Sequence, residues 1–401
     1  MSVTAASGFV AAGLAAGIKP SGRPDLSLVA TADHRPVTAA GVFTTNLVAA
    51  APVQLSRRHL AADPRAVAVV LNSGNANAAT GEPGLLVAEG TAALAAEALD
   101  CDRRHILVCS TGLIGIPMPI EPFVTGVPAA AAALGATPKA GRAAAEAIMT
   151  TDTVAKEAVA TFEAGGVMIT AGGMAKGAAM LSPAMATMLA VITTDAAVEA
   201  RTLQLALTMA VDASFNLMTT DGSRSTNDTV LVLAGGAAGN PPITAGTAEA
   251  HALADALTAV CASLSDQMAH DAEGATKFVR LTVRGARSNS EALRAARAVA
   301  QSQLVKCSLF GGDPYWGRIL SELGASGAFL DPDRVDIVYN GFTTCVGGVA
   351  APGELDADAL AKSMQQREIE VVADLHLGNG EATVTTVDLT PGYIDENMRT
   401  S

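Results

Sequence analysis

The 401-residue sequence predicts an α/β protein with enough apolar material for two packed domains or one large one. Two kinds of segment carry that expectation. In VAVVLNSGNANAATG (67 to 81) and HILVCSTGLIG (105 to 115), β-branched runs pass directly into Ser, Thr, Asn and Gly. Strand ends of this kind present backbone N–H groups, and α/β proteins build sites there. Between the strands lie helical patterns: LLVAEGTAALAAEAL (85 to 99) is one, and Leu253, Leu257, Cys261, Leu264 and Met268 form a single apolar stripe in another. A third helix is expected after Ser288, where Glu291 completes a capping box. AGGAAGNPPITAG (234 to 246) reads as a surface turn or a short connection between subdomains.

Composition removes several functional classes. Lys and Arg total 26 against 39 acidic residues, a net charge of −13, and aromatics make up 3%. Such a chain repels phosphate backbones and offers few stacking platforms, so no nucleic-acid partner is expected. The N-terminus MSVTAASGFVAAGLAAGIK has no basic residue ahead of its apolar part, which argues against a signal peptide and for a cytoplasmic protein. Five widely spaced cysteines without a CxxC pair are expected to be buried free thiols. Six histidines form no HExxH and adjoin no GxSxG serine, so neither a zinc site nor a serine–histidine triad has support, and no metal is expected.

The segment KGAAMLSPAMATMLAVITTDA (176 to 196) holds the chemistry. Residues 177 to 194 carry no charge, close to the length of a membrane span, but Gly177, Pro183 and several hydroxyl residues interrupt them and no membrane partner is expected. MLAVIT (188 to 193) reads as a buried strand after a Pro-containing turn. Thr187 heads that strand. A hydroxyl at a strand end in a dry cleft suits a nucleophile, but no histidine stands near it in sequence to act as base. Attack of the Thr187 hydroxyl on the Ala186 carbonyl would cut the Ala186–Thr187 bond and create an α-amine on the nucleophile itself. Such amines titrate at about 7.7 to 8.0, which suits a general base.

This segment, with its KGxxM, ATM and TTDA elements, resembles the signature of the ornithine acetyltransferase (ArgJ) family, whose members cleave themselves at a threonine. The resemblance runs in order along nearly the whole chain, through GVFTTN (41 to 46), LNSGNANAATG (71 to 81), CSTGLIG (109 to 115), IMTTDT (148 to 153), GGMAKG (172 to 177), DGSRSTNDTV (221 to 230), DAEGATK (271 to 277), LVKCSLFGGDPYWGR (304 to 318) and YIDEN (393 to 397). It implies an α/β sandwich of β-sheets flanked by helices, cut into an α chain (1–186) and a β chain (187–401) that stay associated, commonly as α2β2.

The implied reaction moves the acetyl group of N-acetylornithine to glutamate through an acetyl ester on Thr187, without a cofactor. The resemblance implies oxyanion donors at Thr111 and Gly112, although STG by itself reads sooner as an ordinary turn. It implies substrate contacts at Thr150, Lys176, Thr187, Glu273, Asn397 and, at the C-terminus, Ser401. By charge, Lys176 suits a carboxylate and Glu273 an ammonium. Asp221, Asn227, Asp228, Asp313 and Arg318 are at least as readily structural as catalytic and stand outside the expected site. Three positions depart from the family pattern: Ala179 replaces a glycine, Tyr315 replaces an asparagine, and the tail after Asn397 is short and lacks a late tyrosine. Rival readings keep the nucleophile but change its partner: acetyl-CoA as a second acetyl donor, or water, as in self-cleaving aminopeptidases. A noncatalytic binding protein on the same fold is a further rival.

Overall fold

A computed structural model describes residues 2–179, 188–353 and 355–398. The chain divides into two compact units, 1–216 with 223–268, and 217–222 with 269–401. The expected division at 186/187 is a covalent one and falls within the sequence of the first unit.

In chain order the first unit contains β1 (Phe9–Leu14), β2 (Leu26–Thr31), β3 (Val37–Phe43), α1 (Ala51–Ala62), β4 (Arg65–Ala66), β5 (Ala68–Asn75), α2 (Gly81–Leu99), β6 (Ile106–Leu113), α3 (Glu121–Ala132), α4 (Pro138–Ala147), β7 (Lys156–Ala164), β8 (Val167–Lys176), β9 (Leu189–Thr194) and α5 (Ala200–Asp212). The short β10 (Met218–Thr219) belongs to the second unit, after which β11 (Thr229–Ala234) and most of α6 (Ala248–His270) return to the first. Four strands form one sheet in the order β1-β2-β5-β6, and six form another in the order β4-β3-β11-β9-β8-β7.

The two sheets share a core. Val69 and Leu71 of β5 and Leu107 and Cys109 of β6 meet Leu189 and Val191 of β9 and Leu231 and Leu233 of β11. Alternate residues on the first sheet, Ala68, Val70, Ile106 and Val108, pack on Ala88, Ala92 and Ala95 of α2 and Phe123 and Val127 of α3. Strands covered on both faces must be apolar at every position, which explains why MLAVIT shows no alternation. On the far side of the six-stranded sheet, a Cβ on Gly173 would come within 2.9 Å of Val260 and 3.2 Å of Leu264 on α6, so the helix lies against bare backbone there. The order helix, sheet, sheet, helix is the sandwich the sequence implied.

The second unit carries one seven-stranded mixed sheet, order β10-β17-β12-β16-β13-β14-β15, built from β10 with β12 (Phe278–Ala286), β13 (Asp336–Tyr339), β14 (Phe342–Val346), β15 (Val349–Ala350), β16 (Glu368–Asp374) and β17 (Gly380–Val387). Its helices are α7 (Asn289–Gln301), α8 (Gln303–Phe310), α9 (Trp316–Ala325), α10 (Ala357–Ser363) and α11 (Pro391–Met398). Val279, Leu281 and Val283 of β12 form its core with Ala292, Ala296 and Val299 of α7 and Ile319 and Leu323 of α9.

The expected helices stand where the patterns put them. All five stripe residues, Leu253, Leu257, Cys261, Leu264 and Met268, are buried on α6. Ser288 caps α7 by accepting a 3.3 Å bond from the Glu291 N–H. The return arm of the expected box is incomplete, since the buried Glu291 Oε2 has no hydrogen-bond partner. Residues 234–246 form a turn inside the first unit and do not connect units. All five cysteines are free, but only Cys109, Cys261 and Cys345 are buried. Cys307 is exposed and Cys101 half-buried, which corrects the expectation of uniformly buried thiols. Among the described residues no helix is long and apolar enough to cross a membrane, and residues 189–194 of the uncharged segment are a sheet strand.

Candidate active site

Toward its end β6 carries Ser110, Thr111 and Gly112, parallel to β5, with Ser73 opposite Thr111 and Gly74 opposite Gly112 before the register slips at Asn75. Only glycine serves at position 112. Its φ is +136°, and a Cβ there would lie 2.3 Å from the backbone of Gly74. Thr111 is buried and Gly112 exposed, so the strand end opens where the oxyanion donors were expected. The Ser110 hydroxyl fixes this end by donating to Asn72 Oδ1 at 2.6 Å, and Asn72 in turn donates to the Asn75 carbonyl at 2.9 Å.

Thr150 and Lys176 are drawn together by Asp152, a residue that sequence reading did not select. Buried Asp152 accepts at Oδ1 from the Gly177 N–H at 2.8 Å and Lys156 Nζ at 2.7 Å and at Oδ2 from the Thr150 N–H at 3.0 Å, while Lys176 Nζ stands 3.8 Å from Oδ2. Burial alone would raise its pKa, but the charges of Lys176 and Lys156, with the bonds from Lys156 and Thr150, outweigh it and hold the carboxyl well below the usual range. One carboxylate therefore orients two expected substrate contacts and the first residue after β8.

Lys19 joins the same neighbourhood. Its Nζ donates to the Met149 carbonyl at 2.7 Å, next to Thr150. Burial first, then Arg23 and Lys176 against the opposing charge of Asp25, push its pKa down to about 8. Its stem lies 2.9 Å from where a Cβ on Gly74 would stand, so it reaches the β5 end facing Gly112.

Ala186 and Thr187 lie outside the described residues, as does Ser401. The described chain resumes at Met188, whose two backbone groups are both held: its N–H donates to Asp228 Oδ1 at 3.1 Å and its carbonyl accepts from the Thr229 N–H at 3.1 Å. Asn227 bonds the other way, its Nδ2 donating to the Ala76 carbonyl at 2.6 Å and to the Ser110 carbonyl at 2.8 Å. The Thr44 hydroxyl donates to the Ser225 carbonyl at 2.7 Å, and the Thr44 N–H to the Asp228 carbonyl at 2.9 Å. GVFTTN, LNSGNANAATG, CSTGLIG and the second half of DGSRSTNDTV thus converge from four strands. Asn227 and Asp228, set aside on sequence, bond the strand end at Ser110 and the backbone of Met188. Their signal was present in the motif, but a loop of small polar residues does not say which atoms it will bind.

In the second unit Glu273 and Asn397 come together, with Asn397 Nδ2 donating to Glu273 Oε2 at 2.8 Å and to the Tyr393 carbonyl at 2.8 Å. Gly274 makes this possible. It has φ +63°, and a Cβ would lie 2.3 Å from the Tyr393 nitrogen, so the DAEGATK loop can lie against α11 only without a side chain there. The Thr390 hydroxyl donates to the Gly274 carbonyl at 2.6 Å, and the Tyr393 hydroxyl to Asp221 Oδ2 at 3.2 Å.

Residues 10–400 match the model of the ArgJ family. A protein from Symbiobacterium thermophilum named arginine biosynthesis bifunctional protein ArgJ is 50% identical over 98% of this chain and 97% of its own length.

The chain belongs to the ArgJ family.

A relative of the same name from Geobacter sulfurreducens is 46% identical over 97% of this chain and 98% of its own. A solved ArgJ structure from Bacillus halodurans, 34% identical, covers 52% of this chain and 97% of that one with a TM-score of 0.49. Family membership extends through both units, from β1 to beyond α11, so the nucleophile segment and the Glu273–Asn397 pair fall within one matched sequence.

Proposed function

We propose that the protein is an N-acyltransferase of arginine biosynthesis that moves the acetyl group of N-acetylornithine to glutamate through Thr187. The observation that carries this reading is the anchoring of Met188 on both its backbone groups beside the strand end bearing Thr111 and Gly112, in a chain whose relatives carry the arginine-biosynthesis name throughout. A nucleophile at this place needs a rigid seat and nearby donors, and the held backbone of Met188 and the Thr111–Gly112 strand end support that reading.

In the maturation step the Thr187 Oγ attacks the Ala186 carbonyl carbon. The Ala186–Thr187 C–N bond breaks, the nitrogen gains a proton as an amine, and the resulting ester is hydrolysed by water to leave a carboxylate on Ala186. In the transfer, Thr187 Oγ attacks the acetyl carbonyl. The α-amine takes the hydroxyl proton and returns it to the departing ornithine nitrogen. Glutamate's amine then attacks the ester, and Oγ leaves with a proton. Thr111 and Gly112 donate to both oxyanions. Thr150, Lys176, Glu273, Asn397 and Ser401 hold the substrate, with Lys176 toward a carboxylate and Glu273 toward an ammonium. The reaction uses no cofactor. Acetyl-CoA is a second acetyl donor if the word bifunctional in the relatives' names extends to this chain. The α chain (1–186) and β chain (187–401) remain together in a cytoplasmic α2β2 assembly.

Intact mass under denaturing conditions tests the reading. Fragments ending at Ala186 and beginning at Thr187 are expected in place of one 40.2 kDa chain, and Thr187→Ala should remain whole and lose turnover. Acetate outweighing N-acetylglutamate as product would move the reading from transferase to hydrolase.

A further inference from the structure

We propose that the consecutive residues Asn227 and Asp228 are the positioning element that sets the distance between the oxyanion donors and the nucleophile. The inference rests on the reading of Thr187 as nucleophile and goes beyond it, because neither residue is needed in any bond-making step described above.

The atoms they hold carry the argument. Asn227 Nδ2 binds the Ser110 carbonyl, the oxygen of the same peptide group whose N–H belongs to Thr111. Asp228 Oδ1 binds the Met188 N–H, the hydrogen of the same peptide group whose carbonyl belongs to Thr187. Two adjacent side chains thus grip the peptide group just before the first oxyanion residue and the one just after the nucleophile. Adjacent residues at a strand end point to opposite faces, so one pair can reach both partners without an intervening loop.

Asn227 is itself fixed. Its Oδ1 accepts from the Thr226 hydroxyl at 2.6 Å, its second amide hydrogen goes to the Ala76 carbonyl, its N–H goes to the Ser225 hydroxyl at 3.0 Å, and its carbonyl accepts from the Thr229 hydroxyl at 2.9 Å. Every polar group of Asn227 is thereby used, and its rotamer has no second option. Asp228 is fully buried, and its Oδ2 has no hydrogen-bond partner. An ionised carboxylate in that setting would lack compensation for half its charge. Burial pushes its pKa well up, against the smaller pull of Met188, Ser225 and Lys176, which agrees with a neutral side chain acting as a shaped acceptor.

Wild type, Asn227→Asp, Asp228→Ala and Asp228→Asn are compared by the time course of cleavage in intact mass and by steady-state acetyl transfer from N-acetylornithine to glutamate. Asp228→Ala should slow cleavage and lower kcat on the order of 10²-fold, as a displacement of about 1 Å does, while KM changes less than about threefold. Asp228→Asn keeps a neutral acceptor toward Met188 and should recover at least about tenfold of that loss by restoring the position. Asn227→Asp keeps the volume but removes both donations, and should lower kcat with KM held. The proposal is overturned if Asp228→Ala turns over like wild type, if KM rises while kcat stays, or if Asp228→Asn is as slow as Asp228→Ala, since the last outcome means carboxyl chemistry. If Asp228→Ala does not fold, Asn227→Asp decides, and a wild-type kcat there overturns the proposal. A wild type that stays uncut fails the Thr187 reading and this inference with it, whereas a cut wild type beside unimpaired variants fails the inference alone.

Discussion

Asp152 and Asp228 are both buried in the first unit, and both feel the charge of Lys176, yet their pKa values are pushed in opposite directions. Asp152 is met by two lysines and two backbone N–H groups and stays ionised. Asp228 is met at Oδ1 by one N–H, its Oδ2 has no hydrogen-bond partner, and burial pushes its pKa well up against the smaller pull of Met188, Ser225 and Lys176. Burial sets the size of the penalty for charge. The number of donors delivered to the two oxygens decides whether the penalty is overcome. One site can therefore hold an aspartate whose charge its surroundings favour, orienting ligand contacts, and one whose charge they disfavour, orienting backbone.

The largest expected effect comes from removing the ionised member. Asp152→Asn leaves Lys156 and Lys176 facing each other without their shared anion and should cost about 3 to 5 kcal/mol in denaturant unfolding, with Thr150 and Lys176 displaced. A loss below about 1 kcal/mol would mean that Asp152 is no more strongly compensated than Asp228 and would break the comparison. Next in size is the double replacement Asp152→Asn with Lys156→Met. An apolar stem in the fully buried Lys156 position removes the orphaned cation, and at least about 1 kcal/mol of the single variant's loss should return, as replacement of a buried pair commonly allows. The smallest effect is Asp228→Asn, which should shift stability by less than about 1 kcal/mol at pH 4, because the wild-type group is already neutral there.

The pH dependence separates the two aspartates by sign. Asp152 has a lowered folded pKa, so its contribution is fully present above the unfolded value of about 3.9 and is lost as pH falls through its folded pKa. Asp228 has a raised folded pKa, so it costs nothing below about 3.9 and lowers stability progressively as pH rises above that toward its folded value. Asp228→Asn should therefore gain on wild type between pH 4 and neutrality, measured by unfolding at several pH values. A constant difference across that range would show that Asp228 ionises in the folded protein as it does in the unfolded one.

Much of this was legible in the sequence where the physics is local. Strand ends running into Ser, Thr, Asn and Gly became β5 and β6, and the stripe on α6 is buried as its spacing required. The Glu273 and Asn397 positions came from resemblance, and Gly274 supplies the reason they meet. What stayed hidden depends on partners far apart along the chain. Asn227 reaches Ala76 across 151 residues, and Asp228 reaches Met188 across 40. Periodicity carries no information about such pairings. Asp152 was hidden for a different reason: in IMTTDT it is one more polar residue among hydroxyls, and its importance lies in two lysines that arrive from β7 and β8.

The order β4-β3-β11-β9-β8-β7 also bears on how the two pieces could ever part. A cut before Met188 would assign β3, β4, β7 and β8 to one piece and β9 and β11 to the other, so the second piece would hold the two central strands and the first the strands on either flank. Each seam is a six-pair ladder, β3 to β11 on one side and β8 to β9 on the other. Neither polypeptide would own the complete six-stranded sheet, so each would be a poor candidate for separate production, and exchange of one piece between molecules would demand that this sheet open along both seams. The broken chain would behave as an interleaved whole, with the covalent gap imposing almost no freedom on the sheet that spans it.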